Sequence, residues 1–137
     1  MVRKVDIKKD SETVTAVSQG HHFKAVVRLR LFMQNDVQDH KYWFGVDGDL
    51  PRRVVESIRV ERDGQEMTIP ERVYSDFGDI PFEPQQWRIQ LFTEGDKLLM
   101  RYAGSDGAGS YEAKFYFKDE SFDYAAIPSG GRTVVRN

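Results

Sequence analysis

Residues 98–118, LLMRYAGSDGAGSYEAKFYFK, decide the fold. Apolar and polar residues alternate on both sides of a glycine-rich segment, which is typical of two β-strands that each bury one face. The apolar positions of the second strand are Tyr111, Ala113, Phe115 and Phe117. We therefore predict a hairpin that places Tyr111, Phe115 and Phe117 at the centre of the core.

The same alternation recurs in residues 23–33, FKAVVRLRLFM, where Lys24, Arg28 and Arg30 lie on one face. A strand with one charged face favours an antiparallel sheet, because a parallel sheet is usually buried on both faces. Asp63-Gly64 lies between two apolar runs and matches the residues that a type I′ hairpin turn requires.

Strand patterns of this kind recur about seven to nine times along the chain, with at most one short helix. This spacing predicts an all-β fold, a mostly antiparallel β-sandwich, with a small β-barrel as the alternative. A chain of 137 residues is of ordinary size for a single domain, so residues 1–137 are interpreted as one β domain. Residues 1–10 and the tail from about residue 129 are predicted to be loosely ordered.

Composition excludes several classes of function. The net charge is -2 and the two signs are interspersed, which argues against a nucleic-acid partner. The absence of cysteine excludes disulfides and zinc–thiolate sites. The sequence has neither a signal-peptide pattern nor an apolar run of membrane-spanning length. We therefore expect a cytoplasmic protein with no membrane partner.

The glycine-rich segment 104–110 is the first candidate site. It does not match a phosphate-binding loop, because a strand follows it instead of a helix. The favoured interpretation is a hairpin connection whose glycines supply positive φ. The segment is longer than most hairpin loops, so the alternative is a loop that contacts a ligand or partner. Its candidate residues are Asp106, Gly107, Gly109 and Ser110.

Aromatic residues provide a second set of candidates. Tyr42, Trp43 and Phe44 are consecutive, so at least one of them must face away from a core on one side of a strand. Tyr116 is predicted to face outward for the same reason. Exposed aromatic side chains often anchor partners, so Tyr42, Trp43 and Tyr116 are candidate binding residues.

Acidic residues in predicted loops suggest a calcium site. Calcium binds six to eight oxygen atoms, and loops that meet at one end of a sandwich can supply them. The candidate ligands are Asp47, Asp49, Asp76, Asp79 and Asp106. Aspartate is also a common loop residue for local reasons, and the spacing does not match an EF-hand. The corresponding function is a calcium- or carbohydrate-binding module.

The three histidines suggest a further alternative. A zinc site could combine His21 or His22 with His40 and a carboxylate such as Asp36 or Asp39. Such a site would make the protein a metal-dependent hydrolase. Solvated loop histidines are the favoured interpretation.

No motif in the chain is specific enough to indicate a family. The function that the sequence favours is a small, soluble, non-enzymatic binding or interaction protein. Its partner would be a protein or a small ligand. Homodimer formation through an edge strand or an aromatic patch is also consistent with an all-β fold, because open sheet edges can pair with another chain.

Overall fold

The computed structural model describes residues 2–40, 42–46, 50–105, 109–129 and 131–137. These residues form two antiparallel sheets that are not closed into a barrel. The structure therefore confirms the prediction of an all-β sandwich and not the barrel alternative. Nine strands of five or more residues and two two-residue strands lie in the described segments.

The first sheet contains six strands. They are β1 (Val2–Lys8), β2 (Ser11–Ser18), β3 (His21–Leu31), β4 (Arg53–Arg62), β5 (Gln65–Glu66) and β6 (Gly78–Asp79). The order is β1-β2-β3-β4-β5, with β6 also paired to β4. A four-residue helix, α1 (Asp36–Asp39), follows β3, and a 3-10 turn (Glu71–Val73) precedes β6. The Asp63-Gly64 turn has positive φ at both residues, as its sequence predicts.

The second sheet contains five strands, each paired with its neighbour in sequence. They are β7 (Ile89–Glu94), β8 (Lys97–Gly104), β9 (Tyr111–Lys118), β10 (Ser121–Ser129) and β11 (Arg132–Arg136). The order is β11-β10-β9-β8-β7. The hairpin that the glycine-rich stretch predicts is β8–β9, at the centre of this sheet.

The core lies between the two sheets and is formed by the apolar face of each strand. Tyr111, Phe115 and Phe117 are buried there, as predicted. Phe77 comes from outside the second sheet and packs against two of them, with ring centroids 5.0 Å from Tyr111 and 6.4 Å from Phe115. Aromatic contacts of this kind add to the stabilisation that burial itself provides.

Strands lie at both ends of the described chain, and the loose order of these segments stays a prediction. All seven residues of β1 are in register with β2, and β11 is in register with β10. Val5 and Ile7 alternate with charged residues and pack against the core. The charges of this segment suggest a solvated end, but Lys4, Asp6 and Lys8 lie on the outer face of an amphipathic strand, and Arg3, on the face of Val5 and Ile7, donates to the carbonyl oxygen of Leu91.

Candidate functional site

The outer face of the second sheet carries a row of four large side chains, which we call the aromatic row. Phe92 of β7 is opposite Leu99 of β8, Leu99 is opposite Tyr116 of β9, and Tyr116 is opposite Tyr124 of β10. Phe92 is 40 % exposed and the other three are partly exposed. The solvent face of an antiparallel sheet is normally polar, so a contiguous apolar row there requires an explanation.

An irregularity in β10 places Tyr124 in the row. Phe122 is opposite the core residue Phe117, but Tyr124 is opposite the outward-facing Tyr116, so Asp123 is an extra residue between the two pairs. In a regular strand Phe122 and Tyr124 would share one face, and this bulge turns Tyr124 outward. The rings of Tyr116 and Tyr124 then stack, with centroids 4.6 Å apart and planes inclined by 18°.

A groove of about 480 Å³ runs along the aromatic row, and charged side chains border it. Four of them lie beside the β7–β8 and β9–β10 turns, and their charges balance: Glu94, Lys97, Lys118 and Asp123. Further along the outer face of β8 and β9, outside the groove, Arg101 donates to Glu112 at 2.7 Å. This hydrogen bond lowers the pKa of Glu112 below its usual value. The groove therefore has an apolar floor and borders of both charge signs.

Tyr116 is the predicted binding residue that lies in this groove, whereas Tyr42 and Trp43 lie elsewhere. The described part of 41–46 contributes only an isolated bridge between Phe44 and Phe77 instead of the expected strand. Trp43 is buried, with its ring edge-to-face against Phe32 at 5.5 Å. Trp43 is therefore not available to a partner, while Tyr42 is 78 % exposed.

The glycine-rich segment meets two other loops at one end of the sandwich. Strand β8 continues to Gly104, and the backbone N–H of Ser105 donates to Asp79 Oδ1 at 2.8 Å. Gly109 approaches the 45–46 backbone so closely that a Cβ atom would lie 2.9 Å from it. This contact explains the glycine at position 109, while Ser110 is exposed. The candidates Asp106 and Gly107 lie outside the described residues.

Three charged residues are buried at the edge of β7: Glu12, Asp79 and Arg88. The Arg88 guanidinium donates to Asp79 Oδ1 and to the carbonyl oxygens of Ile80 and Pro81, the latter two at 3.0 and 3.1 Å. The Glu12 carboxylate accepts the backbone N–H groups of Arg88 and Ile89, at 3.1 and 2.6 Å. Because all three side chains are enclosed, we assign this cluster a structural role. It satisfies backbone groups of the β7 edge and ties the 79–81 segment to it.

Burial raises the pKa of Asp79 to about 6 from its ordinary value of 3.8, because desolvation disfavours the carboxylate more than Arg88 favours it. Folding therefore takes up a proton at this group between about pH 4 and pH 6. The stability that Asp79 contributes is fully present below the unfolded pKa and is lost as the pH rises through 6.

Replacing Asp79 with asparagine should remove this pH dependence. Wild-type protein should lose about 1 to 2 kcal/mol of unfolding free energy between pH 5 and pH 8 relative to Asp79→Asn. Urea unfolding followed by circular dichroism at both pH values measures the difference. Burial also raises the pKa of Glu12, which makes stability depend on pH in the same direction. This contribution is common to both proteins, so it cancels in the difference between them. An equal pH slope in the two proteins would contradict the proposed titration.

The described calcium candidates are both held by arginine. Arg136 donates to both carboxylate oxygens of Asp76, at 2.7 and 2.8 Å, and Arg88 binds Asp79. A calcium ion would have to displace these guanidinium groups. The remaining candidates, Asp47, Asp49 and Asp106, lie outside the described residues. Within the part of the chain that the structure describes, no three histidine or acidic side chains are grouped to hold a metal ion.

The structure does not bring the histidines together. His21 begins β3 and lies between Asp63, at 2.7 Å from Nδ1, and Arg62, at 3.0 Å from Nε2. His40 packs against Trp43, which in turn contacts Phe32 just beyond the other end of β3. An 11-residue strand is roughly 33 Å long, so a shared zinc site is not formed. His22 contributes its backbone N–H to Asp63.

No family model, curated protein or solved structure matches this chain. Among the described residues, no helix is long and apolar enough to cross a membrane.

Proposed function

We propose that this chain is a non-enzymatic binding protein that recognises another protein through the aromatic row. The observation that carries the proposal is the combination of four aligned apolar side chains with charged borders of both signs. Protein interfaces commonly have this organisation, in which an aromatic-rich centre is surrounded by a polar rim.

The geometry of the row favours a polypeptide partner over a sugar. A sugar ring packs on the open face of an aromatic ring, but Tyr116 and Tyr124 each cover one face of the other. Both tyrosines line the groove together with Phe92 and Leu99. A polypeptide can insert an apolar side chain between these residues and pair its own charges with Lys97, Lys118, Glu94 and Asp123.

Site-specific photo-crosslinking in the native host tests this proposal. A photo-reactive phenylalanine analogue at position 116 should give one discrete protein adduct, and the same analogue at Thr15, on the outer face of the first sheet, should not. Mass spectrometry identifies the adduct, and the purified partner is then titrated against the unmodified chain. Equal adduct patterns at positions 116 and 15, or no adduct at 116, would argue against this surface.

Substitution in the row should weaken the identified complex without unfolding the chain. We expect Tyr116→Ala to raise the dissociation constant about tenfold or more, because central aromatic residues dominate interface energetics. Calorimetric titration measures this change. Thr133→Ala, an exposed residue of β11 in the same sheet, is the matched control and should leave the dissociation constant unchanged. The proposal fails if both substitutions have the same effect.

A further inference from the structure

We propose that two copies of this chain pair through β1, in an antiparallel register centred on Val5, so that their first sheets become one continuous sheet. This interface lies on the first sheet and adjoins the aromatic row where the Arg3 guanidinium lies 5.8 Å from the centroid of the Phe92 ring.

The backbone of β1 has a free hydrogen-bonding edge. Lys8 is opposite Ser11 across a two-residue connection, so the even-numbered residues of β1 bond to β2. The β2–β3 hairpin leads to the same assignment. Ser18 is opposite His21 across a two-residue connection, so the even-numbered residues of β2 bond to β3 and the odd-numbered residues bond to β1. The N–H and C=O groups of Arg3, Val5 and Ile7 therefore point away from the sheet. None of them has a backbone partner in another described element.

The neighbouring edge in the second sheet is closed by side chains. β7 packs over β2, and its outward backbone groups at Ile89 and Leu91 bond to Glu12 and Arg3. β1 is the outermost strand of the first sheet, with Val5 and Ile7 only partly covered. At this side of the sandwich, β1 is thus the edge whose backbone remains open to another strand.

Charge and the number of paired backbone groups together select one register for the pairing of β1 with itself. In a continuous sheet the outer faces of the two copies lie on the same side. Only registers that place even-numbered residues opposite even-numbered residues satisfy this condition. The register centred on Val5 places Lys4 of each copy opposite Asp6 of the other copy. Centring on Lys4 or on Asp6 places like charges opposite each other. Centring on Ile7 places Asp6 opposite Lys8, but it leaves Arg3 with no residue of the partner's β1 opposite it. Opposed like charges destabilise a sheet, whereas opposite charges stabilise it.

The register centred on Val5 also uses every free backbone group of β1. Val5 pairs with Val5 of the other copy, and Arg3 pairs with Ile7 on each side. Each of these pairs can exchange two hydrogen bonds. The edge strand of the second sheet is less suited to self-pairing. β11 centred on Val134 would place Arg132 opposite Arg136 of the other copy, which brings cations together.

Charge exchange tests both the surface and the register. Lys4 and Asp6 are exposed, so Lys4→Glu and Asp6→Lys should leave the monomer folded. Each variant alone should dimerise about tenfold or more weakly than wild type, because two opposite-charge pairs become like-charge pairs. An equimolar mixture should recover the affinity, since both charge pairs are again opposite in the mixed dimer. Lys24→Glu, on the same face but on β3, is the control for net charge.

Sedimentation velocity over about 1 µM to 1 mM measures association, with circular dichroism as the check on folding. Wild type should move from 15.9 kDa to twice that mass. Wild type that remains monomeric would overturn the proposal. So would a mixture of the two variants that associates no better than either alone, because it would place the dimer contact elsewhere.

A single cysteine reports the register, since the chain has none of its own. Val5→Cys should form an intermolecular disulfide on mild oxidation, because residues directly opposite each other have Cα atoms about 5.5 Å apart. Ile7→Cys should not, because its counterpart lies roughly four residues along the partner strand. Cross-linking at Ile7 in preference to Val5 would exclude the proposed register.

Discussion

Replacing Arg88 with methionine is expected to lower the free energy of unfolding by about 3 to 5 kcal/mol. The substitution removes the guanidinium that neutralises Asp79 and leaves a carboxylate enclosed by protein. It also leaves the carbonyl oxygens of Ile80 and Pro81 without their donor. Breaking a buried ion pair from one side is costly because the remaining charge has lost both water and its partner. Urea unfolding at pH 8 measures the loss.

Arg101→Met is the matched control, because Arg101 also forms an ion pair with a carboxylate. Its side chain is 37 % exposed, whereas that of Arg88 is 4 % exposed. Solvent-exposed ion pairs contribute about 0 to 1 kcal/mol, so this variant should remain close to wild type. Adding Asp79→Asn to Arg88→Met should recover part of the loss, since it removes the stranded charge. Equal losses for Arg88→Met and Arg101→Met would contradict the role of burial.

The architecture could be predicted because apolar and polar residues alternate regularly along its strands. The period of two in β3, β8 and β9 gives both the buried faces and the antiparallel arrangement. The same period places Tyr116 outside. It also places Phe92 and Leu99 outside, but alternation within single strands does not show which residues of neighbouring strands are aligned. The row appears only when the register between four strands is known.

Other features of the site depend on irregularity or on distant contacts. The bulge at Asp123 reverses the face of Tyr124, and no local signal in that strand predicts it. Glu12 shares the inward face of β2 with Val14 and Ala16, which is a signal for a buried polar residue. Its partners are the backbone N–H groups of Arg88 and Ile89, more than seventy residues away. Buried charges are stable only with partners, so the sequence could not assign them.

Adjacent residues of β9 separate folding from recognition. Phe115→Ala should lower the free energy of unfolding by about 3 to 5 kcal/mol, because it leaves a cavity where a fully buried ring contacted Phe77. Tyr116→Ala changes the next residue, on the opposite face of the same strand, and removes only partly exposed contacts. We expect it to cost about 1 kcal/mol or less. Urea unfolding of both variants makes the comparison.

This contrast is also what makes Tyr116 a usable test of recognition. Substituting a residue that only stabilises the sheet would weaken partner binding and lower the free energy of unfolding together, as Phe115→Ala should. Tyr116→Ala should lose partner binding about tenfold or more while its unfolding midpoint stays near that of wild type. If Tyr116→Ala destabilises the chain as much as Phe115→Ala, the stacked pair of Tyr116 and Tyr124 is part of the structural framework. The recognition surface would then have to be sought away from the second sheet.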